Sequence, residues 1–78
     1  MWKKLKVVNG NFYLEGHPHV ALCDLLKFQG WSESGASAKA VIAEGLVEVN
    51  GQIETRKRYK AITGQVVTFD GKSVHIKE

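Results

Sequence analysis

A chain of 78 residues, 44% hydrophobic and 24% charged, has room for one small core and none for a second domain of ordinary size or a deep cleft between lobes. Disorder is argued against as well, since it requires few apolar residues and a large charge imbalance. The net charge of +3 points at nothing as an average, but it is unevenly spread: Lys3, Lys4 and Lys6 form one group and Arg56, Lys57, Arg58 and Lys60 another, so the remaining four basic residues face all eight acids and the rest of the chain carries −4.

In chain order, Leu5–Val8 and Phe12–Leu14 flank Asn9-Gly10, a pair suited to the two positive φ angles of a tight hairpin turn. The spacing of Leu22, Leu25 and Leu26 then predicts a helix over Val20–Gln29, with Pro18 near its start and Gly30 ending it. A second helix is expected to begin at Ser34 as N-cap, to carry Ala38, Val41 and Ile42 inward, and to close at Gly45. Two further hairpins follow, Leu46–Val49 with Gln52–Thr55 across Asn50-Gly51, and Val66–Phe69 with Lys72–Ile76 across Asp70-Gly71. The expected class is α+β: two helices packed on a small antiparallel sheet built from hairpins, with an N-terminal β ribbon over residues 1–16 that could be only loosely attached.

Little in this chain suggests catalysis. His17, His19 and Cys23 lie near the start of the first helix, but a structural zinc site wants four ligands and His75 is distant in sequence. Cys23 reads as a small buried hydrophobe rather than an activated nucleophile, Ser32, Ser34 and Ser37 read as capping hydroxyls, and the acids are dispersed. No phosphate-cradling glycine loop is present. One cysteine forms no internal disulfide, which fits a reducing compartment. No secretory leader and no apolar run near the length of a membrane span are visible, so a soluble, cytoplasmic, monomeric protein without metal or cofactor is expected.

Anion binding is better supported. Arg56-Lys57-Arg58-Tyr59-Lys60 puts four mutually repelling cations into five residues directly after a hairpin. Arginine forks onto phosphate oxygens, and Tyr59 can either stack on a base or join the core. The start of the second helix, Ser34-Gly35-Ala36-Ser37, presents backbone N–H groups at the positive end of a helix dipole behind small side chains, with Lys39 just over one turn on.

The ordered string Leu22-x-x-x-Leu26-x-x-x-Gly30, Ser34-x-x-x-Ala38-Lys39 and Gly45-x-Val47-x-Val49-Asn50-Gly51 resembles the RNA-binding module named after ribosomal small-subunit protein four, also called the alpha-L motif. The resemblance covers residues 19–69 and extends to small stand-alone bacterial members. It implies two helices followed by an L-shaped β segment that binds structured RNA, with Ser34 and Lys39 at second-helix contact positions. Three positions depart from the usual pattern. Ala21 stands where a basic residue is common before the first leucine, Gly35 where Arg often follows the serine, and Gly64-Gln65 where Gly-Asp is usual.

Together these observations lead to the expectation of a single RNA-binding domain over residues 1–78 that grips the backbone of structured RNA, ribosomal or transfer RNA, in RNA metabolism or ribosome biogenesis. Ser34, Lys39, Arg56, Lys57, Arg58 and Lys60 are the candidate contacts, with Lys27 at the edge. The ribosome or its assembly factors are further possible partners, and no membrane is. The alternatives are an adaptor docking on the ribosome or an RNA-modifying enzyme through Trp2, Phe12 or Trp31, and a small enzyme acting on RNA.

Overall fold

The computed structural model describes Val7, Val8 and residues 10–78, so Trp2, Lys3, Lys4 and Lys6 lie outside the described residues. The elements run β1 (Val7–Val8), β2 (Asn11–Tyr13), β3 (Val20–Ala21), α1 (Leu22–Phe28), α2 (Gly35–Ala43), β4 (Val47–Val49), β5 (Gln52–Ile53), β6 (Lys60–Ala61), β7 (Val66–Phe69) and β8 (Lys72–Lys77). Six strands form one sheet in the order β1-β2-β8-β7-β4-β5, and β3 pairs β6 in a separate two-stranded ladder.

The hairpins form where the turn residues specify them. Asn50 (φ 54°) with Gly51 (φ 83°), and Asp70 (φ 54°) with Gly71 (φ 75°), take the paired left-handed conformations that match strand twist. The sheet is nevertheless mixed, not antiparallel. β2 runs parallel to β8, pairing Phe12 with Ile76, so the ribbon β1–β2 is sewn into the sheet rather than loosely attached. A parallel pair needs no tight turn and leaves no local signal; here it buries Phe12 and Leu14 together with Val74 and Ile76.

Both helices end in the same way. In α1 the Gly30 N–H donates to the Lys27 carbonyl and the Trp31 N–H to that of Leu26; in α2 Gly45 donates to Ile42 and Leu46 to Val41. These paired bonds need a left-handed residue at Gly30 (φ 76°) and Gly45 (φ 80°), which glycine adopts without a Cβ penalty. The core joins Leu22, Leu25, Leu26, Ala38 and Ile42 of the helices to Phe12, Val47, Val67, Val74 and Ile76 of the sheet. Val41 is half-buried against it. Truncating fully buried Leu25 to Ala would cost about 2–5 kcal/mol.

α1 is shorter than the leucine spacing predicts. Val20 and Ala21 are extended and pair with Ala61 and Lys60, so the helix begins only at Leu22. Among the described residues, no helix is long and apolar enough to cross a membrane.

Candidate nucleic-acid interface

The basic segment is built onto the start of α1. Ala21 occupies the N-cap position and has no side chain that could accept a hydrogen bond. Its task falls to the loop: the Leu22 N–H donates to the Tyr59 carbonyl at 2.8 Å and the Cys23 N–H to the Lys57 carbonyl at 3.2 Å. Two of the N–H groups that every helix start leaves unpaired are thereby satisfied, and the carbonyl dipoles complement the positive helix end. The backbone of residues 57–59 is pinned while the Lys57 and Arg58 side chains stay exposed. On β6 the alternation of the strand sends Ala61 into the core and leaves Lys60 in solvent.

Arg56 has a different place from its three neighbours. Its Nε donates to Glu54 Oε2 at 2.8 Å, its Nη2 to Glu54 Oε1 at 3.0 Å, and its backbone N–H to Glu54 Oε2 at 3.0 Å. The guanidinium carbon sits 5.0 Å from the centre of the Tyr59 ring. Bonding to Arg56 holds the Glu54 carboxyl below its ordinary value against the opposing effect of desolvation, and Glu54 in turn raises Arg56. Tyr59 itself is half-buried against the core, and its hydroxyl accepts from Gln65 Nε2 at 2.7 Å. Gln65 Oε1 accepts from the Ile62 N–H, so the side chain at the departing Gly64-Gln65 position closes the loop from behind.

The second cluster forms at the start of α2. Ser34 is the N-cap: its hydroxyl accepts from the Ser37 N–H at 3.1 Å and its carbonyl from the Ala38 N–H. The Gly35 and Ala36 N–H groups have no protein acceptor among the described residues. A Cβ built on Gly35 would stand 4.0 Å from Lys27 Cδ, which puts the Lys27 stem beside the helix start. Lys39 is half-buried on the next turn.

The candidate residues thus fall into two groups: Lys57, Arg58 and Lys60 at the start of α1, and Lys27 beside Ser34 and Gly35 at the start of α2. From Leu22 to Lys27, α1 separates them by about 8 Å along its axis. Two of the departing positions have lysine neighbours. Lys60 is the cross-strand partner of Ala21, and Lys27 is the neighbour of Gly35. Sequence reasoning missed Glu54 and Gln65, whose roles follow from irregular backbone with no periodicity to announce them; an acid two residues before the cationic run was the available signal.

Other candidate features are differently placed. Phe12 is fully buried, which removes it as a docking residue and corrects that expectation. Trp31 is half-buried with its ring 6.1 Å from that of Phe69. Among the described residues, no three His, Cys, Asp or Glu side chains gather to hold a metal ion.

The S4 domain family matches residues 12–77, taking in β2 and β8 beyond the 19–69 stretch that carries the motif. The chain belongs to the S4 domain family. It is 63% identical over 65 residues to YbcJ of Escherichia coli (strain K12) and to YbcJ of Shigella flexneri, covering 83% of this chain and 93% of each of theirs. It is also similar to the solution structure of E. coli YbcJ, described as revealing an alfaL motif involved in RNA-binding. That likeness has a TM-score of 0.70 and 54% identity, over 100% of this chain and 98% of the other.

Proposed function

We propose that this protein is an RNA-binding module that grips the sugar–phosphate backbone of structured RNA, ribosomal or transfer RNA, in RNA metabolism or ribosome biogenesis. The observation that carries the proposal is the trio of exposed cations, Lys57, Arg58 and Lys60, on a loop whose backbone is bonded to the start of α1. The Arg56 side chain is held by Glu54 and the backbone at Lys57 and Tyr59 by α1, so four like charges are kept within five residues, an arrangement that suits a polyanionic partner. Lys27 and the N–H groups of Gly35 and Ala36 extend the same character to the start of α2, where an anion is favoured by both dipole and geometry. Lys39 and Ser34 complete that second group. The RNA-binding ascribed to the motif of YbcJ supports the same reading.

Phosphate contacts fix position without reading sequence, so affinity is governed by salt. Neutralising about four to six phosphates gives a slope of log K against log salt between about −3 and −5. The test is binding of the protein to purified ribosomal RNA and to bulk folded transfer RNA across a salt series. A slope near zero for both would sink the proposal. The same Lys57, Arg58 and Lys60 changed to Glu should abolish retention of RNA; a protein-docking role would survive that change. We further propose that the protein works as a monomer in the cytoplasm and contributes binding rather than chemistry.

A further inference from the structure

We propose, resting on the RNA-binding reading above, that Glu54 is a positioning residue for RNA: its carboxylate locks Arg56 as a strut that holds Lys57, Arg58 and Lys60 in their binding arrangement. Arg56 is then a scaffold cation and not a phosphate contact.

Three geometric facts carry this. The Glu54 carboxylate takes three hydrogen bonds from one residue, Arg56, two of them as a fork from the guanidinium. Forked pairing of this kind is directional as well as charged, and only arginine supplies it. The Glu54 side chain is 14% exposed while that of Arg56 is 73% exposed, so the acid is tucked under the loop and the arginine lies over it. The guanidinium then covers the Tyr59 ring, and Tyr59 ties the loop to the fold at two points: its carbonyl accepts from Leu22 and its hydroxyl from Gln65. An unbroken line of contacts therefore runs from Glu54 through Arg56 and Tyr59 to the start of α1 and to Gln65. Lys57 and Arg58 lie inside the segment that this line closes, and Lys60 immediately follows it.

A loop bearing repelling cations adopts many conformations unless it is held. Fixing it before the ligand arrives removes an ordering cost from binding. Glu54 thus aids the capture of a polyanion although its own charge opposes it.

That conflict of sign provides the test. Glu54→Gln deletes one negative charge from a basic surface, and long-range electrostatics alone would tighten RNA binding. Release of Arg56 to reach a phosphate would tighten it further. The strut requires the reverse: about two- to tenfold weaker binding to ribosomal RNA or bulk transfer RNA, with the salt slope unchanged because the phosphate contacts themselves are retained. Hydrogen exchange at the Leu22 and Cys23 amides, which donate to the loop carbonyls, should speed up in the same variant. Binding that is unchanged or tighter overturns the proposal.

Arg56→Lys is the second variant, and it decides the matter if Glu54→Gln does not fold. It keeps the charge and loses the fork, so it should weaken binding to a similar extent, and wild-type affinity would contradict the strut. Glu54→Gln added to Arg56→Lys should cost nothing more, since both act through one contact; a second full loss would show that Glu54 acts elsewhere. Failure of the underlying reading is separately visible, because the wild-type protein itself would then show no salt-dependent binding.

Discussion

The two helices of this domain begin in opposite ways. At α1 the N-cap is Ala21, which offers nothing, and the first N–H groups are filled by carbonyls of the cationic loop. At α2 the N-cap is Ser34, which pairs with Ser37, and the N–H groups of Gly35 and Ala36 are left without a protein acceptor among the described residues. One helix start holds the cationic loop in place, while the other keeps two N–H groups without a protein acceptor among the described residues. The same backbone requirement is met by the protein in one case and, under the proposed function, is available to a phosphate in the other. The lesson is that a cationic loop is held here by its backbone and by Arg56 and Tyr59, while the side chains of Lys57, Arg58 and Lys60 stay exposed.

The largest way to break this contrast is at α1. Lys57, Arg58 and Lys60 all changed to Glu should lower affinity for ribosomal or transfer RNA on the order of several hundredfold near 0.1 M salt and flatten the salt slope by about three. Since the loop is anchored by backbone carbonyls, the thermal midpoint should stay close to that of wild type; a collapse of the fold would show that these side chains also carry structure. At α2 a gain is expected. Gly35→Arg adds a cation where a Cβ meets nothing closer than Lys27 Cδ at 4.0 Å. It should tighten RNA binding by about tenfold and steepen the slope by about one, while lowering stability by about 0.3–1 kcal/mol because a cation is unfavourable at a helix start. Titration with RNA and thermal melting of the same variant check both signs.

Ser34→Ala sharpens the comparison without touching charge. It removes the cap bond to Ser37 and should cost about 1 kcal/mol in denaturant unfolding, whereas Ala21→Ser should gain little because the loop carbonyls already fill the start of α1. The smallest effect is the pH dependence of the strut. The folded Glu54 carboxyl lies below its ordinary value, chiefly through its bond to Arg56. Its contribution to stability is therefore complete above the unfolded carboxylate range and is lost as pH falls through the lowered folded value. Wild type and Glu54→Gln should converge in stability at acid pH and separate toward neutrality, which denaturant midpoints across a pH series would reveal.

What could be read from the sequence was what is local. Asn50-Gly51, Asp70-Gly71, Ser34, Gly30 and Gly45 each do the backbone task that their residue type implies, because turn and cap chemistry depends on a few neighbouring residues. The inward stripes of Leu22, Leu25 and Leu26, and of Ala38 and Ile42, also follow from spacing. The parallel pairing of β2 with β8 joins segments from the two ends of the chain and has no turn to mark it. Periodicity predicts a helix that takes in Val20 and Ala21, yet two strand residues pairing with Ala61 and Lys60 leave no periodic trace of their own. The positive φ of Glu15 (53°) before Gly16 (91°) had equally little to announce it. In the candidate site, the cations were legible as a cluster, but the division of labour among them was not. Arg56 differs from Lys57, Arg58 and Lys60 only through Glu54 and Tyr59, and in irregular backbone no period says which way a side chain points.

The most direct test of the account is the salt dependence of wild-type binding to purified ribosomal RNA and bulk transfer RNA between about 50 and 200 mM salt. The two clusters at the helix starts predict a steep linear fall, with a log–log slope between about −3 and −5. Binding that does not change with salt, or no binding to either RNA, would contradict it.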